Sequence, residues 1–500
     1  MVAALQFRGV AITQPARCEI ATTFVRIFAT GQHFEGQFLP CDRKNPQPMS
    51  DLWLRALRLQ MSGCRDNRCA VIGWIAALSP ATRKRKIGKL FIGGTRTERA
   101  TLMNHDFSTI GSDPAVLGGT PVFAEKVPIV RPVLPKFDAL ADDMAEIVGS
   151  GMVTKGKHLR ALEQAAAEHL QVRHAVAVSS CTSGLMLTYQ ALGLTGDVVV
   201  PSFTFMATVS SMIWAGLRPV FADVDYGTTN LDPARAEEAI TPNTSAIVAV
   251  HNFGNPADIA ALKDLAERRG LKLIFDAAHG FGCRYEGRPV GGQADAQVYS
   301  LSPTKLVIAA EGGIVATNDD ALAEHIRIGR EYGMSDYDSR FAGLNSRMSE
   351  FSALLGCRSL ALLEPGILRR QEVSEIFRRE LGDFPGIDFQ AVRPVDRCSY
   401  KDFSITVEES AFGLSRDQLR AAMEAENIDT RRYYTPPVHR QQAYREFAPA
   451  EESLSNTNVL SQRCLSLPIW SRMDDEVVLG ICQAVRRIHG SIGKVAAAIR

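Results

Sequence analysis

Lys305 is the single charged residue of the segment AQVYSLSPTKLVIAA, which runs from Ala296 to Ala310 and is followed by Glu311-Gly312-Gly313. Most lysines are solvated surface groups. One kept among apolar side chains is easier to deprotonate, and the neutral amine is a nucleophile. Asp276 ends the apolar run Lys272-Leu273-Ile274-Phe275 and opens the small-residue loop Asp276-Ala277-Ala278-His279-Gly280. A carboxylate there caps a turn, or it faces a ligand at the carboxyl end of a strand. Paired with a desolvated lysine it suits a pyridine cofactor. The acid keeps the ring nitrogen protonated, so the ring accepts the electrons left when a C–H proton is removed, and the lysine binds the cofactor and moves that proton. Upstream, Ser179-Ser180-Cys181-Thr182-Ser183-Gly184 joins a strand to a helix. Its hydroxyls and N–H groups at a helix N-terminus fit a phosphate, and equally fit an ordinary N-cap.

The elements that must position these residues begin near Val172. Short β-rich runs at Ala175 to Val178, Val198 to Val200, Val220-Phe221, Ala246 to Val250 and Lys272 to Phe275 alternate with helical patterns. The helical patterns run through Leu185 to Leu192, Thr208 to Ala215, Pro233 to Ala239 and Asp258 to Arg269. Strands joined by helical crossovers imply a mostly parallel sheet covered on both faces. After a helical stretch from Met348 to Leu363 the rhythm loosens. A strand at Phe403 to Val407, a helix from Ser415 to Glu426, a strand near Arg431 to Tyr434 and a helix from Asp474 to Ile488 imply a smaller α+β domain.

The overall charge of +1 conceals a break: residues 1 to 102 hold 16 Lys and Arg against 6 Asp and Glu, and the rest of the chain is net acidic. That first stretch has no sustained period of 2 or 3.6 and contains Arg83-Lys84-Arg85-Lys86. It is expected to be a disordered or non-native extension, with a nucleic-acid-binding arm as the alternative. The expected division is 1–102 for this extension, 103–370 for the N-terminal segment and large cofactor domain, and 371–500 for the small C-terminal domain. Apolar stretches such as Ala70 to Leu78 fall short of the roughly 18 to 20 residues that span a bilayer. A cytoplasmic protein without membrane partner is expected, its ten cysteines free thiols.

The segments VSSCTSGL (178 to 185), VVPSFTFMAT (199 to 208), HNFGNPADI (251 to 259), LIFDAAHGFG (273 to 282), YSLSPTK with the following EGG (299 to 313), GLNSRMSE (343 to 350) and YYTPPVH (433 to 439) together resemble the DegT/DnrJ/EryC1/StrS family of sugar aminotransferases. The resemblance runs from about Leu117 to about Trp470. It implies an α/β fold of the aspartate-aminotransferase-like type I class, with a large mixed, mostly parallel sheet domain and a smaller C-terminal α+β domain. The implied cofactor is pyridoxal 5'-phosphate, carried by Lys305 as a Schiff base with Asp276 on the pyridine nitrogen. Thr182, Ser183 and Ser300 would hold the phosphate, Phe205 would stack on the ring, and His279 would approach its phenolic oxygen. Asn345 would reach the phosphate in the neighbouring subunit, which makes a homodimer with a shared active site. The implied substrates are a nucleotide-linked keto-sugar and an amino-acid donor, usually L-glutamate.

Three positions depart from the family pattern: Cys181 where glycine is frequent, His279 where glutamine is commonest, and Leu306 where asparagine usually follows the lysine. His279 occurs in members near those acting on dTDP-4-keto-6-deoxyglucose, which tilts the reading toward C4 amination. Amination at C3, a cyclitol ketone as acceptor, or a cofactor-binding regulator are the alternatives. A sugar 3-dehydratase of this fold would have histidine at position 305.

Overall fold

The computed structural model describes residues 113–499, together with the backbone of the strands Val25–Ala29 and Gln32–Gly36. The chain divides into a unit of residues 1–104 and a unit of residues 105–500. In the first, the two strands pair antiparallel, with Val25 opposite Gly36 and Ala29 opposite Gln32. The remaining expectations for residues 1–102 lie outside the described residues.

The second unit is built on a seven-stranded sheet. Its strands are β1 (His174–Val178), β2 (Asp197–Pro201), β3 (Arg218–Ala222), β4 (Thr244–Val250), β5 (Lys272–Asp276), β6 (Ala296–Ser300) and β7 (Gly313–Thr317). They lie in the order β1-β7-β6-β5-β4-β2-β3. Every pairing is parallel except those of β7, which runs antiparallel to β1 and β6. The apolar runs read from the sequence are continuous rather than alternating because both faces are covered. Val198 and Val200 point into one core cluster, and Val199 between them points into another.

The crossover helices follow the expected positions with small shifts. They are α1 (Cys181–Ala191), α2 (Ala207–Trp214), α3 (Pro233–Glu238) and α4 (Ile259–Arg269). Helix α1 starts four residues before the expected Leu185, because Ser180 caps it. The stretch expected as one helix from Met348 to Leu363 is two, α5 (Glu350–Leu360) and α6 (Leu363–Leu381), bent by 55°. Among the described residues no single helix is long and apolar enough to cross a membrane; α5 and α6 pass that test only together, across their bend.

The smaller domain carries a three-stranded antiparallel sheet with Phe403–Val407 between Ile387–Phe389 and Cys464–Leu467. Helices α6, α7 (Arg416–Ala425) and α8 (Asp475–Gly490) cover it, with Phe377 stacked on Phe403 at 4.9 Å. The strand expected near Arg431 to Tyr434 is absent. Only Arg431 bridges to Ser466, and the chain then turns into Thr435-Pro436-Pro437, where prolines offer no N–H to a ladder. Val122, Phe123 and Val127 pack into this domain's core. Glu426, fully buried at the end of α7, accepts from Ala115 N at 2.9 Å and Val122 N at 2.8 Å, so the segment from Ala115 to Val122 is held by the smaller domain.

Candidate active site

Asp276 is the last residue of β5, opposite Val298 of β6, and only 4% exposed. Burial pushes its carboxyl upward, opposed first by a hydrogen bond from Thr208. Thr208 Oγ1 donates to Oδ2 at 2.8 Å, and Ala278 N donates to Oδ1 at 3.0 Å. Cys181 Sγ lies 3.8 Å from Oδ1 and 3.5 Å from the carbonyl of Val298. Burial and then the Asp276 charge hold that thiol well above its usual range, so it remains protonated.

The loop from Ser179 to Gly184 sits at the carboxyl end of β1. Ser180 is the N-cap of α1: its Oγ accepts from Ser183 N at 3.1 Å, and Ser183 Oγ accepts from Ser180 N at 3.2 Å. The capping alternative is therefore realised in Ser180. Thr182 is half-buried at the second position of α1, where the helix dipole favours an anion. Ser183 Oγ also meets Ser346 Oγ at 2.7 Å, and Ser179 N donates to Ser346 O at 2.8 Å. The GLNSRMSE segment is thus brought against this loop. Gly313 permits the approach from the other side, since a Cβ there would lie 2.7 Å from Cys181 N. Gly184 lets α1 lie on the sheet, where a Cβ would meet Val298 at 2.9 Å.

Lys305 lies in the loop between β6 and β7. The loop is pinned by Leu301 N to Gly312 O at 2.9 Å and Ala309 N to Leu301 O at 2.8 Å. Lys305 is half-buried, and its ammonium is lowered to about 8, first by desolvation and then by the charge of Lys401. His279, in the loop after β5, is held well below the ordinary histidine range by burial, with Lys305 and Lys401 adding to it. Its Nδ1 is buried with no hydrogen-bond partner. Ser300 ends β6, is buried, and its Oγ lies 3.3 Å from Ser302 Oγ. Phe205 stands in the turn that opens α2 and is 53% exposed. Asn345 is exposed, next in the chain to Ser346, and forms a bridge with Glu331.

The structure therefore brings Asp276, His279, Ser300, Lys305, Thr182, Ser183 and Phe205 to the carboxyl ends of β1, β2, β5 and β6. Asn345 lies on an adjoining exposed segment. Three contributors escaped the sequence reading. Thr208 stands in the motif VVPSFTFMAT but is 68 residues from the carboxylate it contacts. Lys401 and Asp402, in the smaller domain, form a buried ion pair whose charges bear on Lys305. Six cysteines among the described residues, Cys181, Cys283, Cys357, Cys398, Cys464 and Cys482, are free thiols, as expected for all ten.

The model of the DegT/DnrJ/EryC1/StrS aminotransferase family matches residues 138–486. The dTDP-3-amino-3,4,6-trideoxy-alpha-D-glucose transaminase of Streptomyces venezuelae is 35% identical over 347 residues, 69% of this chain and 90% of that protein. The spore coat polysaccharide biosynthesis protein SpsC of Bacillus subtilis (strain 168) is 33% identical over 363 residues, 69% of this chain and 93% of that protein. The crystal structure of DesI in the presence of its TDP-sugar product matches with a TM-score of 0.73 at 36% identity, covering 77% of this chain and 98% of that one. The chain belongs to the DegT/DnrJ/EryC1/StrS aminotransferase family and is an enzyme of the transaminase class.

Proposed function

We propose that this enzyme transfers an amino group from an amino acid, L-glutamate, to a nucleotide-linked keto-sugar of the dTDP-4-keto-6-deoxyhexose class, at C4, with pyridoxal 5'-phosphate as cofactor. The observation that carries the reading is a half-buried Lys305 beside a buried Asp276 carboxylate and a His279 Nδ1 that has no partner. Those residues fit the group: the carboxylate suits a ring nitrogen, and the orphaned Nδ1 suits a phenolic oxygen. Two of the relatives support the sugar class: the Streptomyces venezuelae transaminase is named for a dTDP-linked sugar, and DesI was crystallised in the presence of its TDP-sugar product. The first of them is named for a 3-amino sugar, so the carbon aminated is the finer part of the proposal.

When bound, the cofactor supplies a carbonyl for an amine and a ring that accepts electrons. In this reading Lys305 Nζ, neutral in a large fraction of molecules near pH 8, would hold the cofactor and, once the donor's amine has displaced it, would be the free amine that takes the proton from the donor's Cα. Asp276 holds the ring nitrogen's proton, and Thr208 keeps the carboxylate oriented. Thr182, Ser183 and Ser300 hold the phosphate with the N-terminus of α1, Phe205 covers one ring face, and His279 holds the phenolic oxygen. Asn345 serves the partner's site in a homodimer. We also place the enzyme in the cytoplasm, with residues 1–102 as an extension, 103–370 as the cofactor domain and 371–500 as the small domain. The test is incubation with glutamate and a panel of dTDP-, UDP- and GDP-keto-sugars, followed by mass spectrometry. An amino-sugar product with a dTDP-4-keto-6-deoxyhexose supports the reading, and no amine from any keto-sugar contradicts it.

A further inference from the structure

Lys401 and Asp402 fall outside every motif that led to the site. They nevertheless form an ion pair, Lys401 Nζ to Asp402 Oδ1 at 2.7 Å, with side chains only 5% and 7% exposed. Burying two charges costs desolvation, so such a pair is a poor stabiliser unless its remaining atoms are satisfied. Here they are not, because Asp402 Oδ2 is buried without a hydrogen-bond partner.

The loop holding the pair is strained and tied down. Tyr400 has φ 46°, in the left-handed region that is unfavourable for a bulky residue. Arg370, itself buried, donates to the carbonyls of Tyr400 at 2.6 Å and Lys401 at 3.2 Å. Ser399 N donates to Gly254 O at 2.8 Å, and Ser399 Oγ donates to the carbonyl of His279 at 3.2 Å. A loop of the smaller domain is thereby fastened to the backbone of the residue that follows Asp276 by three positions.

We propose that Lys401 and Asp402 are positioning residues for the chemistry at Lys305, a charge pair through which the smaller domain sets the state of the amine and of the His279 ring. The proposal rests on Lys305 being the cofactor lysine. Around Lys305 the ionisable groups are Lys401, Asp402, Cys181, Asp276 and His279. Lys401 disfavours a proton on the amine, whereas Asp402 and Asp276 favour one; Cys181, a neutral thiol, adds no charge. Around Asp402 are Arg370, Cys398, Tyr433, Tyr434 and Cys464. None of these can take the place of Lys401 against His279, on which Lys305 and Lys401 are the two charges that bear.

The test is trace acylation of the cofactor-free full-length protein across a pH range, with the Lys305 peptide quantified by mass spectrometry. The wild-type midpoint is expected near 8. Lys401→Met should raise it, and Asp402→Asn should lower it, each by about half a unit or more. The double variant should return toward the wild-type midpoint, and Lys401→Arg should retain it. A packing role would lower the melting temperature of both single variants and leave the midpoint in place. Shifts of the same sign in both single variants, or none in either, would overturn the proposal. Should Asp402→Asn fail to fold, Lys401→Met set against Lys401→Arg decides: an upward shift in the first alone supports it, and equal midpoints overturn it. The readout needs neither cofactor nor sugar, so its failure is distinguishable from failure of the sugar assay.

Discussion

Thr208 Oγ1 donates to Asp276 Oδ2 at 2.8 Å, and Thr204 Oγ1 lies 2.9 Å behind it, so a hydroxyl chain from the start of α2 holds the carboxylate at the end of β5. Thr208→Val keeps the shape and removes the donor. A hydrogen bond to a buried charged group is worth about 1.5 to 3 kcal/mol. We expect kcat to fall roughly ten-fold or more, with the KM for the amino donor little changed. Steady-state kinetics on the purified variant would show it.

Asp276→Asn is expected to abolish most turnover yet stabilise the cofactor-free protein at neutral pH. Burial raises the Asp276 carboxyl above its unfolded value, so the folded state binds the proton more tightly than the unfolded chain. That contribution is present at low pH and lost as pH rises through the folded value, leaving a buried carboxylate at pH 7. The asparagine variant should therefore melt higher at pH 7, and the gap should narrow on acidification. Differential scanning calorimetry at both pH values checks the sign.

Much of this arrangement could be read from the chain itself, because the parallel strands are uninterrupted apolar runs and the crossover helices begin at capping residues such as Ser180, Asp232 and Asp258. What escaped has physical causes. β6 merged into the apolar stretch that carries Lys305, with no turn residue to separate them until Ser302-Pro303. Helix α6 was hidden by Pro365 and Gly366, which look like breakers but fall in its first turn, where proline is tolerated. The strand expected near Arg431 failed against prolines just beyond it. Nothing in the local sequence sets Lys401 and Asp402 apart, since only tertiary contacts bury them.

If Asn345 serves the neighbouring subunit, defects should complement between chains. Lys305→Ala and Asn345→Ala homodimers would each be weak. After subunits are exchanged, half of the dimers would be mixed, and each of those would have one site with both residues intact. Activity should recover to about a quarter of wild type. No recovery, with exchange verified by native mass spectrometry, would place Asn345 in its own chain's site or outside any.

A chain starting at Met103 should retain the melting temperature and cofactor affinity of the full chain. Among the described residues, the contacts that anchor this end begin at Asp113, whose carbonyl accepts from Arg487, and at Ala115, held by Glu426. Removing residues through Val127 as well would take Val122, Phe123 and Val127 from the core, and at roughly 1.5 to 3 kcal/mol for each buried side chain this should prevent folding. Calorimetry and cofactor titration of the two truncations separate the cases.

Lys305 is the residue through which the proposed chemistry stands or falls, and borohydride reduction of the protein as purified, followed by peptide mapping, tests it most directly. Reduction should leave the cofactor covalently attached to the peptide containing Lys305, and Lys305→Ala should lose both this adduct and the visible absorbance. Cofactor found on another lysine, or an unchanged rate of keto-sugar amination by Lys305→Ala, would contradict the assignment.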